Sequence, residues 1–248
     1  MQLDQTTQIS GILSVIFIVF NFFMFILIFK IAIKTKKRLL FIFAIFNISL
    51  ATPWYASGFC YIYWLFSKNI MSYEIYVLIG TLGIPIIPLA WFYIYTDILY
   101  PQLKKKVLLC LGIFSIVFYL FLYYFLFFAP NYPIIELIGI RNNPLDIEYK
   151  GFVLAYILIS AVLAFPTFIH FGVNSMRTRD QPKIQWRGRF LLLASIFLII
   201  AIIADGFFSL TEVFLIIVRI FLIFATLLFY LGFMMPDWLV KILNLNNE

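Results

Sequence analysis

The stretch Ile9–Ile33 has the sequence ISGILSVIFIVFNFFMFILIFKIAI, in which Lys30 is the only charged residue. A helix that crosses a bilayer needs about 20 largely apolar residues, whereas a strand of a membrane barrel needs about 10 of alternating polarity. Because this stretch is long and continuously apolar, it predicts a transmembrane helix. We do not expect a cleaved signal peptide, since the apolar run is too long for one and the positive charges follow it.

The composition of the whole chain agrees with this prediction. A soluble domain is about half apolar and about a quarter charged, whereas this chain of 248 residues is 65% hydrophobic and 12% charged. We therefore predict an all-α membrane protein, in which a single domain over residues 1–248 forms a seven-transmembrane helix bundle. The predicted helices cover residues 9–33, 39–66, 74–99, 107–129, 151–173, 190–210 and 212–235.

The basic residues fall almost entirely in alternate loops between the predicted helices. Of the 18 Lys and Arg residues, 14 lie on one side of the predicted bundle and 3 on the other. Cytoplasmic loops are enriched in Lys and Arg, so we predict a cell-membrane protein with its N-terminus outside and its C-terminus in the cytoplasm. The basic face is expected to attract anionic lipids of the bilayer. Because topology explains the net charge of +7, we expect no nucleic-acid partner.

Three charged residues near one end of the last two predicted helices are the strongest site candidates. Arg219 lies two helical turns beyond Glu212 on the same face of the seventh helix, and Asp205 lies near the end of the sixth. Ionisable groups within a membrane are unfavourable unless they have a partner or a role. Asp205, Glu212 and Arg219 are therefore interpreted either as a ligand pocket or as a structural ion pair, and the sequence leaves both open.

A second group of candidates lies at the predicted cytoplasmic face. Asp97 either pairs with the lysines that follow it or contacts a cytoplasmic partner. His170 is interpreted as a polar group near the interface, because one histidine cannot bind zinc alone and neither cysteine lies at a motif spacing from it. The basic residues of this group are Lys104, Lys105, Lys106, Arg177, Arg179, Arg187 and Arg189.

Sequence motifs for catalysis are missing. The chain has no HExxH zinc motif, no GxSxG nucleophile elbow and no P-loop. We therefore expect no enzymatic activity, no metal and no cofactor. Cys60 and Cys110 are predicted near opposite sides of the bilayer, too far apart for a disulfide.

Prolines within the predicted helices indicate bends. Pro53, Pro85 and Pro166 each remove a backbone donor, so the second, third and fifth helices are expected to bend at mid-membrane. Gly80 and Gly83 are expected to allow another helix to approach the third one closely. The longest predicted outer loop, residues 130–150, could cap a ligand site, but we interpret it as a solvated connection.

Two short stretches resemble a known family. They are GIPIIPLAWFYIYT at Gly83–Thr96 and YLGFMMPDWL at Tyr230–Leu239. They resemble parts of the seven-helix sensor region at the N-terminus of some prokaryotic histidine kinases, although they cover only about a tenth of the chain. Because the chain stops at Glu248 without a catalytic region, the resemblance implies a stand-alone sensor that signals through a separate cytoplasmic protein.

These observations favour a receptor-like sensor and signal transducer without catalytic activity. Its expected partners are the lipid bilayer, a cytoplasmic signalling protein and a small ligand that the sequence does not identify. A small transporter or channel is the first alternative, and the scarcity of Ser, Asn and Gln at mid-depth of the predicted helices argues against it. A membrane-embedded enzyme that acts on lipid is the second alternative, and it would require acids or histidines clustered at one depth.

Overall fold

The computed structural model describes residues 3–129, 134–178, 181–207 and 212–245. The second predicted helix is divided into two helices in the structure, and so is the third. The helices are α1 (Gln5–Thr35), α2 (Arg38–Leu50), α3 (Thr52–Ser67), α4 (Tyr73–Thr81), α5 (Ile86–Leu99), α6 (Lys104–Phe127), α7 (Ile134–Leu137), α8 (Gly151–Met176), α9 (Pro182–Phe207), α10 (Glu212–Met234) and α11 (Asp237–Ile242).

The apolar helices make the chain a multi-pass membrane protein. In the part of the chain that the structure describes, six helical stretches are long and apolar enough to cross a bilayer, and α2 with α3 makes a seventh if this pair, bent by 55°, is one span. The six stretches are Gln5–Thr35, Tyr73–Leu99, Pro101–Phe127, Gly151–Met176, Pro182–Asp205 and Glu212–Met234.

The side chains of α1 show how the outer surface of the bundle suits lipid. Its buried face includes Thr7, Ser14 and Asn21, whereas Val19 and Phe23 are among the apolar side chains that it exposes. A soluble amphipathic helix has the reverse arrangement. Small and polar residues between helices and apolar residues outside are typical of membrane helices.

One helix extends beyond the apolar run predicted for it, for a physical reason. The sixth predicted helix begins at residue 190, but α9 begins at Pro182 and includes Lys183, Arg187 and Arg189. Hydropathy locates the part of a helix that can lie in hydrocarbon, whereas the backbone hydrogen bonds continue through the polar turns beyond it. The predicted end of this helix at residue 210 lies outside the described residues.

The predicted bend at Pro53 is present. Pro53 has no amide hydrogen and its ring would clash with the carbonyl of Ser49, so α2 ends at Leu50 and α3 begins at Thr52. The Thr52 hydroxyl donates a hydrogen bond to the Ser49 carbonyl at 2.7 Å. The third span is also interrupted, between α4 and α5 around Pro85, whereas α8 continues through Pro166.

The interruptions of the second and third spans touch each other. A Cβ atom added to Gly83 would lie 2.5 Å from Thr52 Oγ1 and 2.9 Å from the Ser49 carbonyl oxygen. Only glycine permits this approach, as the sequence led us to expect. The two interruptions therefore lie at the same level of the bundle.

The third span is more buried than the other five long apolar stretches. Helix α1 packs against α2, α3 and α10, and α9 packs between α8 and α10. Helix α5 contacts α2, α6 and α8. Its Trp91 ring is 1% exposed and lies 4.0 Å from the Phe168 ring, centroid to centroid. The Trp91 indole also donates to the Thr167 hydroxyl at 2.8 Å, so α5 is bound to α8 by aromatic packing and a hydrogen bond.

A β-hairpin replaces the predicted solvated connection between α6 and α8. Strands β1 (Gly139–Asn143) and β2 (Asp146–Tyr149) pair antiparallel. The Asn143 side chain accepts a hydrogen bond from the Leu145 amide at 3.0 Å, which stabilises the turn. Leu145 is 1% exposed, so the hairpin packs against the bundle. The interpretation of this segment as a solvated connection is therefore wrong.

Candidate functional site

The centre of the candidate site is a pair of opposite charges between α9 and α10, in which Arg219 is buried and Asp205 is half-buried. Arg219 is 5% exposed, and its Nη1 donates to Asp205 Oδ1 at 3.0 Å. Trp54 of α3 donates its indole hydrogen to Asp205 Oδ2 at 2.8 Å. Both carboxylate oxygens of Asp205 therefore accept a hydrogen bond. We call Trp54, Asp205 and Arg219 the charge-pair site.

The indole ring of Trp54 also contributes to the electrostatics of the charge-pair site. The guanidinium carbon of Arg219 lies 5.7 Å from the centroid of the Trp54 ring. The face of an aromatic ring attracts a cation, most strongly for Trp. Arg219 is thus neutralised by Asp205 and further stabilised by Trp54, while its Nε is buried without a hydrogen-bond partner among the described residues.

Glu212 does not join this pair. Its Oε1 accepts a hydrogen bond from the Thr6 hydroxyl of α1 at 3.0 Å, and among the described residues it makes no ion pair with Arg219. The two residues share a helix face, but two turns separate them by about 10 Å along the axis. The structure thus brings together Asp205 and Arg219, and it uses Glu212 to connect α10 with α1.

The hairpin carries a carboxylate, that of Asp146, which interacts electrostatically with the charge-pair site. Asp146 is the first residue of β2, and sequence analysis did not propose it as a site residue. Asp146 is exposed at the surface, and partial desolvation of its carboxylate raises its pKa to about 6. The charge of Asp205 raises the pKa further, while the Ile147 amide and Arg219 lower it. Asp146 therefore lies within electrostatic range of both charges.

No local signal in the sequence could have identified Asp146 or Trp54. Asp146 resembles any acid in a polar loop, and Trp54 resembles a membrane-interface aromatic. Trp54 and Asp205 are separated by 151 positions along the chain. Their proximity depends on tertiary packing, because α1 packs against both α3 and α10, and α9 packs against α10. The position of Asp146 depends on the hairpin.

Neutral hydrogen bonds hold the hairpin in position. The Ser57 hydroxyl of α3 and the Tyr76 hydroxyl of α4 both donate to the Leu145 carbonyl, the latter at 2.8 Å. The Asn143 side chain donates to the Thr7 hydroxyl of α1 at 2.7 Å. Three helices therefore position the turn of the hairpin.

Arg141 connects the hairpin to the start of α4. Its Nη1 donates to the Met71 carbonyl at 2.6 Å and its Nε donates to the Pro144 carbonyl at 3.1 Å. Its guanidinium carbon also lies 4.6 Å from the centroid of the Tyr76 ring. Arg141 thus closes the turn and attaches it to the bundle.

We expect Arg141→Met to release the hairpin while the helices remain folded, because it removes these donors and leaves a side chain of similar length. Hydrogen–deuterium exchange of residues 139–149 in the purified protein should become faster. Lys150→Met is the matched control, since Lys150 is half-buried and its ammonium group forms a long ion pair with Glu148 at 3.6 Å. Exchange as slow in Arg141→Met as in the wild type would show that Arg141 does not hold the hairpin.

The predicted cytoplasmic candidates lie at the opposite end of the bundle, which we call the basic end. Asp97 forms an ion pair with Lys104, whose ammonium group lies 3.5 Å from the centroid of the Tyr93 ring. His170 is exposed, and its Nδ1 forms a hydrogen bond with the Tyr95 hydroxyl at 3.0 Å. Both residues thus have local partners.

The remaining basic candidates are spread over this end rather than gathered in one site. Arg189 lies over the ring of Trp186, 4.5 Å from its centroid. Arg187 is half-buried, and its Nε has no hydrogen-bond partner among the described residues. Lys105, Lys106 and Arg177 are exposed. Arg179 lies outside the described residues.

The described part of the chain contains no group of three or more His, Cys, Asp or Glu residues that could hold a metal ion. Cys60 is buried, Cys110 is exposed, and both are free. The residues that the structure gathers are instead a charge pair, an indole and a nearby carboxylate. This arrangement can bind charged or polar groups and can exchange a proton.

Comparisons with known proteins do not identify a family. No protein-family model matches the chain, and no curated protein or solved structure matches it either. The resemblance to the sensor regions of histidine kinases therefore remains a prediction. The long apolar helices nevertheless place the chain among multi-pass integral membrane proteins.

Proposed function

We propose that this protein is a receptor-like sensor and signal transducer without catalytic activity. The observation that supports this proposal is the Arg219–Asp205 pair, whose arginine is buried in the bundle. Isolated charges are unfavourable in a membrane, so those that occur there commonly mark functional sites. The pair would receive the signal, and its ligand is a small molecule or ion from outside the cell.

The distribution of charge supports the orientation in this proposal. With the basic residues in the cytoplasm, the N-terminus lies outside and the C-terminus inside. The hairpin and the charge-pair site then face the exterior, while Asp97, Lys105 and Lys106 face the cytoplasm. The basic end would bind anionic lipids, at about 1 kcal/mol for each Lys or Arg near the surface, and would dock an acidic face of a cytoplasmic signalling protein.

Contacts between the interrupted spans provide a physical route for the signal. Trp54 lies in the first turn of α3, directly after the interruption of the second span. That interruption touches the third span at Gly83, and the third span continues as α5 to Asp97 near the basic end. A change in the bonding of Asp205 would move Trp54 and then the contact at Gly83. Energetic coupling between distant sites requires a structural element with two arrangements, and the interrupted spans would be that element.

A small transporter or channel is the second candidate, and one observation favours it. The Tyr55 hydroxyl donates to Asn21 Oδ1 at 2.9 Å, and the Asn21 amide donates to the Asn47 carbonyl at 3.2 Å. Asn47 Nδ2 and Ser14 Oγ are buried without partners among the described residues. The sequence argument against transport is therefore weaker than it first appeared, because packing gathers the few polar groups at mid-depth. Among the described residues, no comparable arrangement favours an enzyme that acts on lipid.

Co-purification tests the proposal. We expect the tagged protein, isolated from native membranes in mild detergent, to carry a stoichiometric soluble kinase, cyclase or transducer. The double variant Lys105→Gln, Lys106→Gln should retain less of that protein, because both side chains are exposed at the basic end. Lys68→Gln is the control, since Lys68 directly follows α3 at the end of the bundle away from the basic end. Absence of a soluble partner, together with solute flux in proteoliposomes, would replace the sensor proposal with the transporter.

A further inference from the structure

The short helix α11 is held against the basic end of the bundle. Helix α10 ends at Met234 and α11 begins at Asp237, so two residues separate them. Leu239 and Val240 of α11 are each 7% exposed. They belong to a buried apolar cluster, which we call the tail cluster and which consists of Leu231, Met235, Leu239, Val240 and Leu245. Helix α11 therefore rests on the bundle and does not project away from it.

The side chains of α11 divide its surface into three sectors. Trp238 is 53% exposed and Ile242 is 68% exposed, and because they are four residues apart they share one face of the helix. At about 100° per residue, this face lies about 130° around the helix axis from Leu239 and Val240. Asp237 and Lys241 are also exposed and occupy the remaining sector. Helix α11 thus has one apolar face on the bundle, a second apolar face that the bundle leaves uncovered, and a polar edge.

The depth of α11 puts the uncovered apolar face at the surface of the bilayer. Helix α10 has 23 residues, which makes it about 35 Å long, whereas the hydrocarbon core of a bilayer is about 30 Å thick. The end of α10 therefore reaches the headgroup region, and α11 begins almost directly after it. Tryptophan is enriched at this level of a membrane. Trp238 and Ile242 thus suit the boundary between headgroups and acyl chains.

Cations lie beside this face on both helices. Lys241 belongs to α11 itself. Arg189 of α9 is exposed, and its guanidinium carbon lies 4.5 Å from the centroid of the Trp186 ring, which packs against the tail cluster. Within the described part of the chain, neither Lys241 nor Arg189 forms an ion pair. Asp237 is the only acid of α11, and Arg187 adds a further cation on α9, so positive charge exceeds negative charge around α11.

We propose that α11 and the start of α9 form a binding site for an anionic phospholipid. The acyl chains contact Trp238 and Ile242, while Lys241 and Arg189 bind the phosphate, for which both side-chain types are suited. A soluble protein would not reach an apolar face that lies level with the headgroups. The inference rests on the proposed function only for the lipid affinity of the basic end, which it assigns to a defined site. It does not require that the protein is a sensor.

Fluorescence quenching in nanodiscs that hold a single copy of the full chain tests the apolar part of this site. A fluorophore is attached at Ile242→Cys in a Cys110→Ser background, which removes the exposed thiol and leaves Cys60 buried. Asp237→Cys is the matched control, on the polar edge of the same helix. A phospholipid with a nitroxide on its acyl chain near the headgroup should quench the fluorophore at position 242 at least about twofold more than at position 237.

The headgroup preference tests the charged part of the site. Nitroxide-labelled phosphatidylglycerol should quench the fluorophore at position 242 more than nitroxide-labelled phosphatidylcholine does at the same mole fraction. Lys241→Gln and Arg189→Gln should each lower this preference by up to about fivefold. Lys105→Gln is the control, because it removes an exposed lysine of α6 at the same end of the bundle, and it should leave the preference unchanged.

Three outcomes would overturn the proposal. Equal quenching at positions 242 and 237 would show that the apolar face does not contact lipid, and quenching at position 242 by neither lipid would show that protein covers it. An equal loss of preference in Lys105→Gln and Lys241→Gln would replace the site by a general attraction of the basic end. These measurements use no signalling partner. A failed co-purification would therefore remove the sensor function and leave the lipid site intact, and failed quenching would do the reverse.

Discussion

Asp205→Asn should lower the free energy of unfolding by about 3–5 kcal/mol. The substitution leaves the guanidinium of Arg219 buried, 5% exposed, without its carboxylate. An uncompensated charge in a medium of low dielectric constant is strongly unfavourable, and the face of Trp54 replaces only a small part of the lost attraction. Thermal or denaturant unfolding in detergent, together with the yield of folded protein, measures the effect.

The double variant Asp205→Asn, Arg219→Met should recover much of this loss. It removes both charges, so no lone ion is left, and replacement of a buried ion pair by apolar or neutral groups is often nearly neutral for stability. Glu212→Gln is the control, because Glu212 accepts a hydrogen bond from Thr6 and does not pair with Arg219. It should change stability by less than about 1 kcal/mol.

The double variant also separates the two interpretations of the pair. A protein that regains stability but loses its signal, measured through the co-purified partner, supports a functional site. Recovery of both stability and signal would show that Asp205 and Arg219 are only structural. If Asp205→Asn alone changes neither property, both interpretations are wrong.

Gly83→Ala should destabilise the bundle by about 1–3 kcal/mol through overpacking. Its new methyl group would lie 2.5 Å from Thr52 Oγ1 and 2.9 Å from the Ser49 carbonyl. Because the carbonyl belongs to the backbone, relief requires the second and third spans to move apart. The same movement would weaken the proposed route from Trp54 to α5.

Gly112→Ala is the matched control for this prediction. Gly112 lies within α6, and an added Cβ meets nothing within 4 Å. The free energy of unfolding of Gly112→Ala should therefore differ from that of the wild type by less than about 1 kcal/mol. Unfolding curves of the two variants in the same detergent provide the comparison. Equal stability of Gly83→Ala and Gly112→Ala would show that the contact between the interrupted spans is loose.

The effects of prolines and glycines on the interrupted spans could be predicted from the sequence better than the polar contacts could. Pro53 and Pro85 act locally, since each lacks a backbone hydrogen, so their effect on a helix can be inferred from neighbouring residues. Pro166 shows the limit of this inference, because α8 continues through it. Whether a helix with a proline bends or breaks depends also on the neighbours that pack against it.

Hydropathy and charge along the chain are sufficient to establish a multi-pass helical membrane protein and to predict its orientation. In lipid, every backbone donor and acceptor must be satisfied by the protein itself, and a helix achieves this within a single segment. A long and continuously apolar run therefore favours a helix. The sequence proposed Asp205 and Arg219 as neighbours, but the other members of the site could not be obtained in this way. Trp54, Asp146 and Asp205 come from a helix after a break, a hairpin and a distant helix, and their proximity is a property of packing. Sequence distance therefore conceals the site, because side chains from separate elements meet only once the bundle has formed.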